Sequence, residues 1–167
     1  MKVIISDTNI FIDLLNIDLL DTFLKLSFEV HTTDFVINEL IEEQAKVINS
    51  KIKEKKVMLN EANEEEYAEI LEQMKERETL SIVDHSVYYY AKKLKATILT
   101  GDKTLRNYAE DKNMEARGIL WVFDEIISKR QLNKTEMVKK LKSLMETNKR
   151  LPKEECKSRL DRWEKID

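Results

Sequence analysis

At 167 residues, 42% of them apolar, the chain is long enough to bury the core of a single domain and too hydrophobic to be disordered. Two Gly and one Pro argue against a turn-rich β-sandwich and favour long helices, and a single Cys excludes an internal disulfide and a cysteine-built zinc site. The net charge of −3 is unevenly distributed: residues 1–128 hold 16 Lys and Arg against 25 Asp and Glu, whereas residues 129–167 hold 13 against 7.

No apolar run approaches the ~20 residues that a membrane-spanning helix requires. The sequence also begins without the basic and then apolar segments of a signal peptide. Because a lone cysteine fits a reducing compartment, we expect a cytoplasmic protein that has no membrane partner. The basic segment 129–167 is compatible either with contacts to nucleic-acid phosphates or with a solvated helical face whose sign is incidental.

The first half of the chain alternates between strand-like apolar runs and apolar residues at helical spacing. Residues 2–6 predict a buried strand, and the apolar side chains over residues 10–26 recur as they do in a helix. The elements that follow are a strand at 29–32, a helix from 35 to about 50 capped by Thr33 or Asp34, a strand at 56–59, and a helix from 63 to about 77.

The second half continues this alternation and then predicts helices alone. Its elements are a helix at 81–95, a strand at 97–100, a helix at 104–112, a strand at 114–116, and helices at 120–129, 133–149 and 152–165. Asn133 and Glu136 form a capping box, and Pro152 suits the first turn of the last helix. Strands that alternate with helices predict an α/β fold with a parallel sheet and right-handed crossovers.

Acidic residues follow two of the predicted strands, at the point where each strand ends. Asp7 comes after the first strand and Asp102 after the fourth, while Glu39 and Asp84 lie between them in the chain. Ligands of open α/β sheets bind beyond the carboxyl ends of the strands, where the strand order reverses. If the two strands are neighbours, about 4.8 Å apart, these acids converge and need a divalent cation to stay ionised. Oxygen ligands favour Mg²⁺ or Mn²⁺ over Zn²⁺.

Four motifs within residues 2–117 together resemble the PIN-domain nucleases. They are Asp7-Thr8-Asn9, Val36-Ile37-Asn38-Glu39-Leu40, Leu80-Ser81-Ile82-Val83-Asp84 and Ile98-Leu99-Thr100-Gly101-Asp102-Lys103-Thr104-Leu105. Each motif alone is weak, but all four occur in order and on the expected elements. The resemblance implies a three-layer α/β/α fold with a five-stranded parallel sheet in the order 3-2-1-4-5, followed here by C-terminal helices.

The resemblance also implies a function, which is metal-dependent hydrolysis of RNA phosphodiester bonds with Mg²⁺ or Mn²⁺ as the cofactor. The catalytic and metal-binding acids that it implies are Asp7, Glu39, Asp84 and Asp102. The side chains that would support these acids are Asn9, Ser81 and Thr100. The basic side chains placed to contact the substrate phosphate are Lys103 and Arg106.

We divide the chain into a PIN-like nuclease domain at residues 1–118 and a helical C-terminal extension at residues 119–167. The extension is similar to that of a PIN-like subgroup, and it either packs over the sheet, forms a dimer surface or guides RNA. The partners that the resemblance implies are an RNA substrate, a second copy of the chain in a homodimer and, if the protein is a toxin, an inhibitory antitoxin protein.

Two other functions are compatible with the same residues. Asp7 and Asp102 are also similar to acids of the haloacid-dehalogenase-type phosphatases, in which the first aspartate attacks phosphate. That family has a second aspartate where this chain has Asn9. The chain is alternatively a degenerate PIN domain that binds RNA or a protein partner without catalysis.

Some of the candidate residues also have purely structural interpretations. Ser81 and Asp84 match a capping box, which needs no function beyond starting a helix. Glu39 has two rivals shortly after it in the chain, Glu42 and Glu43. The metal-site hypothesis therefore depends on the joint pattern and on how closely the acids approach one another in the fold.

Overall fold

The centre of the fold is a five-stranded parallel sheet, seen in a computed structural model that describes residues 1–165. Its strands are β1 (Lys2–Ser6), β2 (Phe28–Thr33), β3 (Met58–Asn60), β4 (Thr97–Leu99) and β5 (Ala116–Arg117), in the order β3-β2-β1-β4-β5. Neighbouring strands all run parallel. The predicted α/β fold and strand order are confirmed, and β1 and β4 lie side by side where the order reverses.

Helices cover both faces of this sheet. Within residues 1–165 they are α1 (Thr8–Asn16), α2 (Leu20–Phe23), α3 (Asp34–Glu39), α4 (Glu42–Lys53), α5 (Glu64–Met74), α6 (Ile82–Leu94), α7 (Lys103–Asp111), α8 (Ile119–Ser128), α9 (Lys134–Thr147) and α10 (Lys153–Glu164). Ile4 and Ile5 of β1 point to opposite faces, as successive strand residues do, and neither is exposed. A strand buried on both faces is characteristic of the predicted three-layer α/β/α arrangement.

Two of the predicted helices are interrupted. The apolar stripe over residues 10–26 is divided between α1 and α2, because the backbone of Asp18 is left-handed, with a φ of 50° that a helix cannot continue through. The predicted helix at 35–50 is divided between α3 and α4 by the extended backbone of residues 40–41. Glu39 is consequently the last residue of a six-residue helix and not part of a long one.

Several helix starts agree with the caps expected from the sequence. The Thr33 hydroxyl accepts a hydrogen bond from the Val36 amide at 3.2 Å, so Thr33 and not Asp34 caps α3. The helices α5, α6 and α9 begin with capping boxes whose first residues are Asn63, Ser81 and Asn133. The capping box of α6 places Asp84 in the first turn of that helix.

The last three helices pack on the sheet-containing part of the chain and on one another. Trp121 of α8 stacks on Phe28 of β2 with ring centroids 5.4 Å apart, and Phe123 stacks on Trp163 of α10. The division at residue 118 stays a prediction, and residues 166–167 of the predicted extension lie outside the described residues. In the described chain, every helix is too short or too polar to cross a lipid bilayer.

Candidate active site

The Asp7 carboxylate lies at the carboxyl end of β1, where the chain enters α1. The Asp7 amide donates a hydrogen bond to the Leu99 carbonyl at 3.0 Å, which holds the end of β1 against the end of β4. Oδ1 of Asp7 accepts a hydrogen bond from the Ile10 amide at 3.1 Å and thereby caps α1. The residue is only 4% exposed. Asp7 is therefore a buried carboxylate at the point where the strand order reverses, as the sequence predicts.

Thr100 connects Asp7 to the segment that carries Asp102. The Thr100 hydroxyl donates a hydrogen bond to Oδ2 of Asp7 and accepts one from the Asp102 amide at 3.0 Å. Thr100 is fully buried, so water does not compete for these two bonds. A single hydroxyl thus orients the Asp7 carboxylate and joins the segments that follow β1 and β4.

The Asp102 and Asp84 carboxylates each hold a helix start with one oxygen. Oδ1 of Asp102 accepts hydrogen bonds from the amides of Thr104 and Leu105, at 2.6 and 3.0 Å, where α7 begins. Oδ2 of Asp84 accepts from the amide and the hydroxyl of Ser81, at 3.0 and 2.8 Å, where α6 begins. The second oxygen of each carboxylate has no hydrogen-bond partner within residues 1–165. Each of the two acids therefore keeps one oxygen available to a ligand.

The three aspartates share one electrostatic environment. The pKa of Asp7 is raised from 3.8 to about 7, chiefly by burial and further by the negative charges of Asp84 and Asp102, against the hydrogen bonds from Thr100 and Ile10. In the described part of the chain, no lysine or arginine forms an ion pair with any of the three carboxylates. The negative charge of this site is thus left without a counter-charge from a side chain.

The donor chemistry fits a hard divalent cation, although the acids are not gathered into a finished coordination shell. All the candidate ligands are carboxylate oxygens, the donors that Mg²⁺ and Mn²⁺ prefer. Among residues 1–165, however, no three His, Cys, Asp or Glu side chains are close enough together to hold a metal ion. Asp84 and Asp102 are each hydrogen-bonded to the start of their own helix.

Two predicted residues flank these aspartates at different distances. Asn9, in the first turn of α1, is partly buried and lies beside Gly101, where an added Cβ would be 3.8 Å from the Asn9 Cβ. Glu39, at the end of α3, is exposed, and its side chain has no hydrogen bond or ion pair to another described residue. The fold therefore places Asn9 next to the segment that carries Asp102, whereas no hydrogen bond or ion pair among residues 1–165 ties the Glu39 side chain to the site.

The two predicted phosphate contacts are in different positions on α7. Lys103 is the exposed first residue of the helix. Arg106 is directed at the backbone, since its Nη2 donates a hydrogen bond to the Thr100 carbonyl at 3.1 Å. Gly118 leaves the space for this bond, because a Cβ there would lie 2.7 Å from the same nitrogen. The Arg106 Nε is buried and has no partner among the described residues.

One polar contact beside this site was not predicted from the sequence. Asn148, in the turn between α9 and α10, donates a hydrogen bond from Nδ2 to Oδ2 of Asp13 in α1 at 2.9 Å. Burial raises the pKa of Asp13 to about 6, against the hydrogen bond from Asn148 and the charge of Arg150. The two bonded residues are 135 positions apart, so no local pattern marks them. The basic character of segment 129–167 is the sequence feature that points to this region.

One comparison with known protein families agrees with this fold. The family model DUF3368, described as a PIN domain, matches residues 3–165. No curated protein matches the chain. Among solved structures, the chain is similar to VapBC-1 from nontypeable Haemophilus influenzae, with 17% sequence identity and a TM-score of 0.47, over 70% of this chain and 97% of that one.

Proposed function

Because the chain belongs to the PIN-domain family, whose model spans residues 3–165, we propose that it is a metal-dependent endoribonuclease. The observation that carries this proposal is the buried Asp7 carboxylate, which feels the charges of Asp84 and Asp102 and forms no ion pair with a Lys or Arg within residues 1–165. A divalent cation is the natural counter-charge for such a site. The proposed reaction is hydrolysis of an RNA phosphodiester bond.

Four acids take the role of metal ligands in this proposal. Asp7, Asp84 and Asp102 would hold Mg²⁺ or Mn²⁺, and Glu39 would reach the site from the end of α3 as a fourth acid. When bound, the ion would lower the pKa of the attacking water and stabilise the charge on the phosphate oxygens. The free oxygens of Asp84 and Asp102 are the acceptors that the chain offers for this purpose.

The other candidate residues position these acids or bind the substrate. Thr100 fixes the Asp7 carboxylate by its hydrogen bond, and Ser81 fixes Asp84 in the same way. Asn9 would support a ligand or bound water beside Asp102 in this arrangement. The phosphate contacts proposed are Lys103 and Arg106, the first exposed at the start of α7 and the second bonded to the Thr100 carbonyl.

The biological setting of this activity is proposed on family membership alone. We propose that the protein acts on RNA in the cytoplasm, as a homodimer, and that it is toxin-like, with a separate antitoxin protein as its inhibitor. The haloacid-dehalogenase-type alternative is not proposed, because the matching family is that of PIN domains.

A second candidate function is a PIN domain that binds RNA or a protein without cutting. One observation favours it: among residues 1–165, the acids are not drawn together closely enough to form a ready metal-binding group. Under this alternative the carboxylates of Asp84 and Asp102 serve only as helix caps. The two candidates differ in whether Mn²⁺ binds and whether RNA is cleaved.

Cleavage of a labelled single-stranded RNA is the test of the proposed function. We expect Mg²⁺ or Mn²⁺ to raise the cleavage rate at least ~100-fold over the same protein in EDTA, because the site lacks a counter-charge of its own. A small phosphomonoester serves as the control substrate and should not be hydrolysed. RNA that is bound but not cleaved in the presence of either metal ion would contradict the nuclease proposal and support the non-catalytic one.

A further inference from the structure

A groove of about 570 Å³ opens directly beside the candidate active site. Its walls are α1, the turn between β5 and α8, and the turn between α9 and α10. Asn9 and Gly101 lie in its lining, and they are close in sequence to Asp7 and Asp102 respectively. The groove therefore lies close to Asp7 and Asp102 and is also lined by residues of the C-terminal helices.

We propose that this groove holds the sugar-phosphate backbone of the RNA strand next to the scissile bond, a proposal that rests on the ribonuclease function proposed above. Its lining is basic on balance: five cationic residues face three acidic ones. The cationic residues are Arg106, Arg117, Lys149, Arg150 and Arg159. The acidic ones are Asp13, Glu110 and Glu155. Phosphate groups are the part of a nucleic acid that such a surface attracts regardless of sequence.

Three of these cations form no ion pair with a carboxylate of residues 1–165, and one of the three, Arg106, is bonded to the Thr100 carbonyl. Lys149 and Arg150 are exposed on the α9–α10 turn, and no carboxylate within residues 1–165 lies at ion-pair distance from either of them. Arg117 and Arg159, in contrast, form ion pairs with Glu115 and Asp124. Two of the three cations without an ion-pair partner thus lie on one turn that lines the groove, near Asp13, whose pKa is raised by burial and lowered in part by the charge of Arg150.

The turn that carries these two cations is fixed in position. Asn148 donates from its side chain to Asp13 at 2.9 Å, and its Oδ1 accepts a hydrogen bond from the Arg150 amide at 3.0 Å. Further along α9, the Lys140 ammonium donates to the Ile17 carbonyl at 2.8 Å, at the end of α1. These contacts hold the cations over the groove before any ligand arrives, which lowers the entropic cost of binding.

The part of the groove lining that Gly118 and Ile119 form adds a second attraction for anions. α8 begins there, and its N-cap Gly118 provides no side chain to bind the free amides of the first turn. The positive end of a ten-residue helix dipole therefore faces the groove. A strand that follows the groove would pass between this helix start and the cations of the α9–α10 turn.

Binding of a labelled single-stranded RNA in EDTA tests this inference without any cleavage. The double variant Lys149→Gln/Arg150→Gln removes both cations of the α9–α10 turn, and Lys53→Gln/Lys55→Gln is the matched control. The control removes the same charge from two exposed lysines, at the last residue of α4 and just beyond it. They precede β3, which lies at the other edge of the sheet. Thermal melts establish that both variants fold, as expected for exposed side chains without ion-pair partners.

We expect the groove variant to bind RNA about 10-fold more weakly than the wild type at physiological salt, and its log Kd–log salt slope to fall by about 1.4, the value for two lost contacts on a single strand. The control should stay within about 2-fold of the wild type. The inference would be overturned if both variants lost RNA affinity equally or if the groove variant bound RNA like the wild type. It would also be overturned if the protein bound polyglutamate and not RNA. This result can be distinguished from a failure of the proposed function, because this experiment measures RNA binding in EDTA and the earlier one measures RNA cleavage with a metal ion.

Discussion

Replacing Asp7 by Asn is expected to abolish RNA cleavage and, at the same time, to make the metal-free protein more stable at pH 8. The cleavage rate should fall at least ~1,000-fold, since the substitution removes the most buried ligand of the proposed ion. Stability should rise because an ionised carboxylate that is 4% exposed, close to two other negative charges, is unfavourable in the folded state. Loss of function with gain of stability is the signature of a residue kept for its chemistry.

The pH dependence of this gain follows from the direction of the pKa shift. The pKa of Asp7 is about 7 in the folded protein and near 3.8 in the unfolded chain. Below pH 3.8 the Asp7 side chain is neutral in both the folded and the unfolded chain. Its burial then carries no charge penalty, so its contribution to stability is present in full. Between these values only the unfolded chain releases the proton, so the contribution of Asp7 to the free energy of unfolding falls as the pH rises and becomes level above about 7.

Urea unfolding in EDTA at pH 4 and pH 8 measures this prediction. Each unit of pKa shift corresponds to about 1.4 kcal/mol, so the advantage of Asp7→Asn at pH 8 is at most about 4 kcal/mol. At pH 4 the advantage should nearly vanish. Thr100 can reverse its hydroxyl to accept from the new amide, which keeps the local hydrogen bond. A variant that is less stable than the wild type at pH 8 would contradict the account.

Two substitutions of Asp102 are expected to separate its structural from its catalytic role. Asn caps a helix about as well as Asp, so Asp102→Asn should keep the two hydrogen bonds that start α7 and change the free energy of unfolding by less than about 0.5 kcal/mol. Ala provides no cap, and Asp102→Ala should lose about 1 kcal/mol of stability. Both variants lack the free carboxylate oxygen, so both should cleave RNA at least ~100-fold more slowly than the wild type.

Denaturation curves and cleavage rates of the two Asp102 variants are compared side by side. If Asp102→Asn cleaves RNA at the wild-type rate while Asp102→Ala does not, the carboxylate acts only as a helix cap. If the two lose the same stability, the hydrogen bonds to Thr104 and Leu105 are not what holds the start of α7.

The sheet and the position of its acids were predictable because they depend on local patterns. Apolar runs ending in Asp7 and Asp102 marked two strand ends, and helices between strands require parallel pairing. The adjacency of the two strands came from the family resemblance, and the pairing of Ile5 with Ile98 confirms it. The capping box at Ser81 was predictable for the same reason, since its residues are three positions apart.

The interruptions in the helices were not predictable, because the apolar periodicity continues through them. Asp18 and residues 40–41 leave the helical conformation within stretches whose apolar residues keep a spacing of three to four. The second interruption decides where Glu39 lies, so its placement as a ligand could not be judged from the sequence. The contact between Asp13 and Asn148 joins segments 135 residues apart, and the groove beside it depends on tertiary packing alone.

A crystal of the protein soaked in Mn²⁺ is the most direct test of the claim that these aspartates form a metal site. We expect an anomalous difference peak coordinated by Asp7 together with the free oxygens of Asp84 and Asp102, and no such peak in the Asp7→Asn protein. Absence of manganese from the neighbourhood of Asp7, at concentrations that support RNA cleavage, would contradict that claim.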